Sequence, residues 1–409
     1  MTNHQPTTTY KKALLTISLF LGLLLLGSSP VLSQAEISQS TPPTIEELVA
    51  QFPAADAAAR DLLVAALLKR APDSIHTVCR MIAPPGKRDD TAAQFAVNGM
   101  VIFFQKDGND KDRERFSRIL IEELNRSGER EVKAFFIRQL QLIGQKETVK
   151  ALRPYLTDAT LFEPAAQAVK TIGGPDAEKA MLAALKTSRG SLRITIIKNL
   201  GEMQSRAAVK MIEKDAGSDN TSLRQTAMFA LAGIGDPSSW DILSRTRLNA
   251  SFQERSNAPS FLLLFARRMA ENGFRKQSLA LCRDLIQNYD NEEENHIAAQ
   301  ALSLVWKIEQ ERSAADLLSA VDSPHSGLRN QALRLAGQSA VRTMTGEWIQ
   351  KAKQVPPHVR AEIITMLSRS GDPAAVEYIR GLLQAEEPVV QMAAVPALVR
   401  LARAESLPD

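Results

Sequence analysis

Residues 223–237 read LRQTAMFALAGIGDP, and near copies of this stretch recur along most of the 409-residue chain. Each copy opens on an apolar anchor, usually followed by a basic residue, runs through apolar positions at helical spacing, and reaches a glycine twelve positions later. Val132-Lys133 leads to Gly144, Phe162 to Gly174, Leu223-Arg224 to Gly235-Asp236-Pro237, Phe261 to Gly273, and Val359-Arg360 to Gly371-Asp372-Pro373. Leu192-Arg193, Ile297, Leu328-Arg329 and Val390 share the anchor without that glycine. Anchor spacings are 30, 30 and 31 from 132 to 223, then 38 and 36, then 31, 31 and 31 to 390.

A period near thirty with two helical runs per period predicts stacked helix pairs, because no single unit can bury its apolar face without its neighbours. Within one unit, Ala227, Leu231 and Ile234 fall on one side of a helix. Gly235 supplies the positive φ that ends it, and Pro237 suits the first turn of the next helix, where its missing N–H is not needed. That second helix is expected to bury Trp240 and Leu243.

These features resemble HEAT-like repeats of the short-period variety also found in phycobilin lyases. The resemblance rests on the Leu/Val-Arg anchor, the Ala- and Leu-rich first helix and the Gly-Asp-Pro turn, and it covers roughly residues 130 to 402. It implies an all-α, right-handed α-solenoid of antiparallel helix pairs, HEAT/armadillo-like, of the kind used chiefly as a binding scaffold for unrelated partners.

At the start of the chain, Lys11-Lys12 precede an apolar run over residues 13–27, and Ser33-Gln34-Ala35 offers small residues for a cut before Glu36. This pattern predicts a signal peptide over residues 1–35, since a membrane span needs about 20 apolar residues. No integral span is expected after its removal, and the mature chain is expected in the periplasm or outside the cell. Residues 36–44 read as a flexible lead-in, 45–130 as irregular N-terminal repeats, and 131–409 as the repeat solenoid. Removing Lys11 and Lys12, with no acidic residue among the first 35, takes the formal charge from +4 to +2. Such a balance gives no support to nucleic-acid binding, which demands a concentrated basic stripe.

The two cysteines, Cys79 and Cys282, lie several repeats apart, beyond the ~7 Å Cα reach of a disulfide, so both are expected free and at least partly buried. Residues 250–259 and 288–295 read as inserted loops. Aligning the repeats into columns places Trp240 and Trp348 with core residues. Trp306 shares its column with Gln141, Gly201 and Ser368 and is expected to be partly exposed beside the 288–295 loop, marking a contact surface.

Ten residues after the glycine position, three consecutive repeats place Lys214, Arg245 and Arg283. If the second helices line the concave face, these cations form a ladder with ~10 Å steps, suited to an extended acidic partner or a polyanionic glycan. The competing reading is a solvated face compensated by Glu213, Asp215, Asp241 and Asp284. The recurring arginine after the anchor (Arg193, Arg224, Arg329, Arg360) reads as structural, reaching carbonyls or carboxylates of the preceding loop such as Asp219 or Asp322.

Catalytic signatures are missing from the sequence. The five histidines are scattered, with no His-x-x-x-His pair and none beside a Glu in sequence, so neither a zinc site nor the paired His-Glu iron site of HEAT-type hydroxylases can be built locally. No nucleophile elbow, phosphate loop or cofactor motif is present, and no cofactor is implied. The helix over residues 389–403 has only Gln391, Arg400 and Arg403 as polar residues, whereas a terminal repeat normally carries a polar outer face. Self-association or partner docking through it is therefore expected. The sequence reads as a non-enzymatic protein-binding scaffold. Alternatives are binding of acidic envelope polysaccharide, or a chromophore or carbohydrate enzyme resembling the phycobilin lyases.

Overall fold

The computed structural model describes residues 42–106, 110–249, 252–338 and 344–405. Residues 45–409 form one compact unit, and the expected signal peptide lies outside the described residues. Every regular element among the described residues is helical, and the unit is an α-solenoid of stacked helix pairs.

One layer is built from the first helices of the repeats: Thr91–Phe104, Arg130–Ile143, Phe162–Ile172, Gly190–Glu202, Thr221–Ile234, Phe252–Glu271, Asn295–Glu309, Ser326–Gln338, Pro357–Ser370 and Pro388–Glu405. Each packs directly on the next. The second helices, among them Asp110–Arg126, Lys146–Leu152, Gly174–Thr187, Val209–Asp215, Trp240–Asn249, Arg275–Asn288 and Ala314–Ala320, form the other layer. Their mutual packing is clearest as far as Gly174–Thr187, and Thr345–Gln354 packs on the turn at Pro373–Ala375 that opens the next one.

The tight layer follows from small residues. A Cβ on Gly201 would stand 2.7 Å from both Cα and Cβ of Ala230 on the next first helix, so only glycine allows this approach. Ala227, Leu231 and Ile234 are fully buried, as their spacing predicts. Gly235 adopts φ 67°, and Asp236 caps the following turn by accepting from the Ser238 N–H at 3.0 Å, with Pro237 opening that turn. Asp372 repeats the cap at Ala374. The Gly-Asp-Pro signature is thus a helix stop joined to a helix start.

The structure corrects the sequence reading in two places here. The second repeat is anchored on Leu161, which is buried, and its helix closes on Gly173 at φ 68°; Phe162 and Gly174 lie one residue out of register. The twelve-residue count alone could not choose between adjacent glycines. The expected loop over 250–259 is instead helical from Phe252, within Phe252–Glu271, despite Pro259. Proline removes one backbone donor, but a helix held on both sides by neighbours continues through it.

Candidate interaction surfaces

The four anchor arginines tie each repeat to its surroundings. Arg193 donates to both carboxylate oxygens of Asp215, at 2.9 and 2.6 Å, and to the Leu185 carbonyl at 2.7 Å. Arg329, almost fully buried, donates to Glu362 at 2.7 and 3.2 Å and to the carbonyls of Ser323 and Pro324 at 2.9 and 3.3 Å. Arg360 reaches the Ala352 carbonyl and Glu387, and Arg224 reaches the Ser218 carbonyl. The carbonyls of Ser218, Ser323 and Pro324 belong to the preceding turn, as anticipated, whereas those of Leu185 and Ala352 lie in the last turn of the preceding helix, and the carboxylates for Arg193, Arg329 and Arg360 are Asp215, Glu362 and Glu387 rather than Asp219 or Asp322.

The cations singled out from the sequence sit elsewhere than expected. Lys214 and Arg245 are exposed on the second helices. Arg283 is clamped by Asp316 at 3.0 and 2.9 Å and by Glu309 at 2.7 Å, so its charge is answered within the chain. The hydrogen bond that Arg283 donates to Asp316, the largest favourable cause, holds the guanidinium firmly protonated against the cost of burial. The first helices pack more closely on one another than the second helices do, and their solvent-facing side is called the inner face; the ladder lies on the other layer. The expectation rested on assigning the second helices to that face.

Trp348 is fully buried, whereas Trp240 is half-buried. Trp306 is also half-buried and packs against the C-terminal core cluster. It lies eleven residues into Asn295–Glu309, about 16 Å from the 288–295 loop at 1.5 Å per residue, at the opposite end of the helix.

The solvent-facing column of the inner layer, six residues after each anchor, was not singled out from sequence. It reads Arg138, Gln167, Lys198, Phe229, Arg267, Ser303, Arg334, Thr365 and Pro396. Phe229 is 47% exposed and meets Phe261 edge to face at 6.2 Å. Neighbouring cations are paired, Lys170 with Glu202 and Arg268 with Glu271. Among the described residues no ion pair is formed by Arg138, Lys198 or Arg267. Arg138 and Lys198 border a depression of about 470 Å³ with Gln141, Glu163, Gln167, Thr195 and Asn199. Asn199 is 4% exposed; its Nδ2 donates to the Thr195 carbonyl at 2.8 Å while its buried Oδ1 has no hydrogen-bond partner among the described residues.

The last helix carries a second surface. Five residues after the anchor, Ile137, Ile197, Met228, Leu302, Leu333 and Ile364 are buried by the next repeat, but the equivalent Val395 is 55% exposed. Val389, Met392 and Val399 are exposed beside it. Ala394 and Ala397 are buried, so the outward face is valine and methionine rather than alanine, and Leu398 is half-buried against the core.

One histidine does find a carboxylate in space. His76 Nδ1 lies 2.7 Å from Glu123 Oε1, and its Nε2 lies 3.6 Å from Glu122. Arg126 and Arg80 also donate to Glu123, at 2.7 and 3.3 Å. Burial pushes the Glu123 carboxyl up, but the hydrogen bonds from His76 and Arg126 and the nearby charges of Arg126 and Arg80 outweigh it and hold the group below its ordinary value. Among the described residues no group of three His, Cys, Asp or Glu side chains could hold a metal ion. Both cysteines are free and buried.

Residues 346–409 match the family model described as HEAT repeats. Over that stretch the repeats are HEAT-like. No curated protein matches it in sequence. Among solved structures it is similar to importin beta, at 13% identity and TM-score 0.42 over 90% of this chain and 56% of that one. It is also similar to a Kap121p mutant, at 14% and 0.43 over 88% and 45%. Human deoxyhypusine hydroxylase in complex with glycerol matches at 18% and 0.28, over 63% of this chain and 97% of the hydroxylase. The chain thus spans about half the length of importin beta and Kap121p. Among the described residues no helix is long and apolar enough to cross a membrane.

Proposed function

We propose that this chain is an exported, non-enzymatic protein-binding scaffold of the bacterial envelope, engaging its partner on the inner face of the first-helix layer. The observation that carries the reading is Phe229, an aromatic ring half exposed on a packed helix between Lys198 and Arg267, two cations that form no ion pair among the described residues. Aromatic and arginine side chains are enriched at protein interfaces, and a site on packed helices holds its geometry without an ordering cost. Export rests on the segment over residues 1–35. The valine and methionine face of Pro388–Glu405 is a second contact surface, used in self-association.

The test is affinity capture from the native envelope fraction with mature protein and with Phe229→Glu. A discrete protein that rebinds stoichiometrically after purification, and that the variant loses, supports the reading. Equal retention by the variant refutes the assigned face, and failure to retain any protein refutes the scaffold function. The acidic-polysaccharide alternative is weakened by the commitment of Arg283 to Asp316 and Glu309.

A further inference from the structure

We infer that the inner face recognises an extended acidic peptide segment in which an apolar side chain stands three residues from an acidic residue on either side; this rests on the scaffold reading and specifies its partner. The argument starts from the column six residues after each anchor. Lys198, Phe229 and Arg267 occupy it on three successive first helices, all solvent-facing, and the two cations form no ion pair among the described residues. Arg138 continues the column two helices earlier. Packed helices are spaced about 8–10 Å apart, and an extended chain advances about 3.3 Å per residue, so one repeat is crossed by about three residues. The cation, ring, cation order then selects acidic, apolar and acidic side chains at three-residue steps. Because that order is symmetric about Phe229, it accommodates either chain direction.

A further observation favours a peptide over a uniform polyanion. The depression between Arg138 and Lys198 also holds the exposed Glu163. A carboxylate placed between two cations repels a continuous string of negative charge but leaves room for acidic residues placed singly. Lys198 and Arg267 pair with the two acidic side chains, and the rings of Phe229 and Phe261 receive the apolar one.

The experiment uses the mature chain and a fluorescent peptide with Glu three residues before and three residues after a Leu, in an otherwise Gly/Ser sequence, read by anisotropy. Wild type is expected to bind it. Lys198→Glu with Arg267→Glu should weaken binding at least about tenfold, Phe229→Ser should do the same, and Lys214→Glu on the other layer should leave it within about twofold. A peptide with the acidic residues moved to adjacent positions should bind at least about fivefold more weakly. No binding by wild type, binding indifferent to the reversals, or equal competition by an acidic polysaccharide would overturn the inference. Retention of a Phe229-dependent protein partner alongside failure of the peptide would sink this partner class alone and leave the scaffold function standing. Circular dichroism of each variant confirms that it is folded.

Discussion

Replacing Arg329 by alanine tests whether the anchor arginines hold the solenoid together. Its side chain is 8% exposed and satisfies Glu362 twice and the carbonyls of Ser323 and Pro324. Truncation strands a carboxylate and two turn carbonyls. Water reaches Glu362, which is 33% exposed, so part of the loss is recovered. Removing one member of a fully buried pair costs about 3–5 kcal/mol, and the partial exposure of Glu362 places this case at the low end, about 3 kcal/mol. A solenoid opens locally, so a single global midpoint would blur the effect. The assay is native-state hydrogen exchange over Ser326–Gln338 and Pro357–Ser370, where about 3 kcal/mol appears as roughly 100-fold faster opening. The exposed Arg312→Ala serves as control, with an expected change within about 0.5 kcal/mol. Adding Glu362→Ala to Arg329→Ala should cost less than the sum of the two single changes. Exchange in Arg329→Ala within about threefold of wild type would refute the structural role.

Three further outcomes follow from the same geometry. Gly235→Val should destabilise the fourth and fifth repeats by more than about 2 kcal/mol in urea unfolding, because φ 67° strains a β-branched residue and a Cβ there would stand 2.4 Å from the Arg268 Cβ. Glu123, held below its ordinary value of 4.5, stabilises the fold above that pH and loses this contribution as pH falls through its folded value; Glu123→Gln should therefore flatten the acid limb of stability below about pH 4.5. Cys282, whose thiol is pushed up to about 12 by burial, and Cys79, pushed still higher by burial and by Glu123, should resist a thiol reagent at neutral pH until denaturant is added.

Much of this fold is legible from the chain because the information is local and repeated. The anchor, the apolar steps and the Gly-Asp-Pro stop are all visible within fifteen residues, and each does in the structure what its chemistry dictates. What escaped is relational. The Leu161 register depends on which of two adjacent glycines ends the helix, a choice made by packing. The His76–Glu123 pair joins residues 47 positions apart on different helices. Pro259 looks like a breaker in isolation but is overruled by the helices on either side. The largest miss was deciding which helix of each pair forms the inner face, because a helix-period pattern shows that a face is buried without showing how closely its neighbours approach. Gly201 against Ala230 was the available signal: small residues at facing positions mark the tighter layer.

That assignment also separates two classes of arginine that composition cannot distinguish. Arg329 stands one residue after its anchor and Arg334 six residues after it, on the same helix. Five residues at 3.6 per turn rotate the side chain by about 140°, so the first column turns toward the preceding loop and its carbonyls while the second turns toward solvent. Arg193 and Arg360 on the first column are paired within the chain, as is Arg329. On the second column Arg138, Lys198 and Arg267 form no ion pair among the described residues, and Arg334 hydrogen-bonds Gln331 and Gln338. Where the first column is arginine its side chain is committed to the chain's own carbonyls and carboxylates, whereas the second column varies through Gln167, Phe229, Ser303 and Thr365 without disturbing the stack. A surface free to vary on a scaffold held constant is where a solenoid can acquire a partner, and exchanging residues on the second column alone should change what is bound while leaving the hydrogen-exchange pattern of the first-helix layer intact.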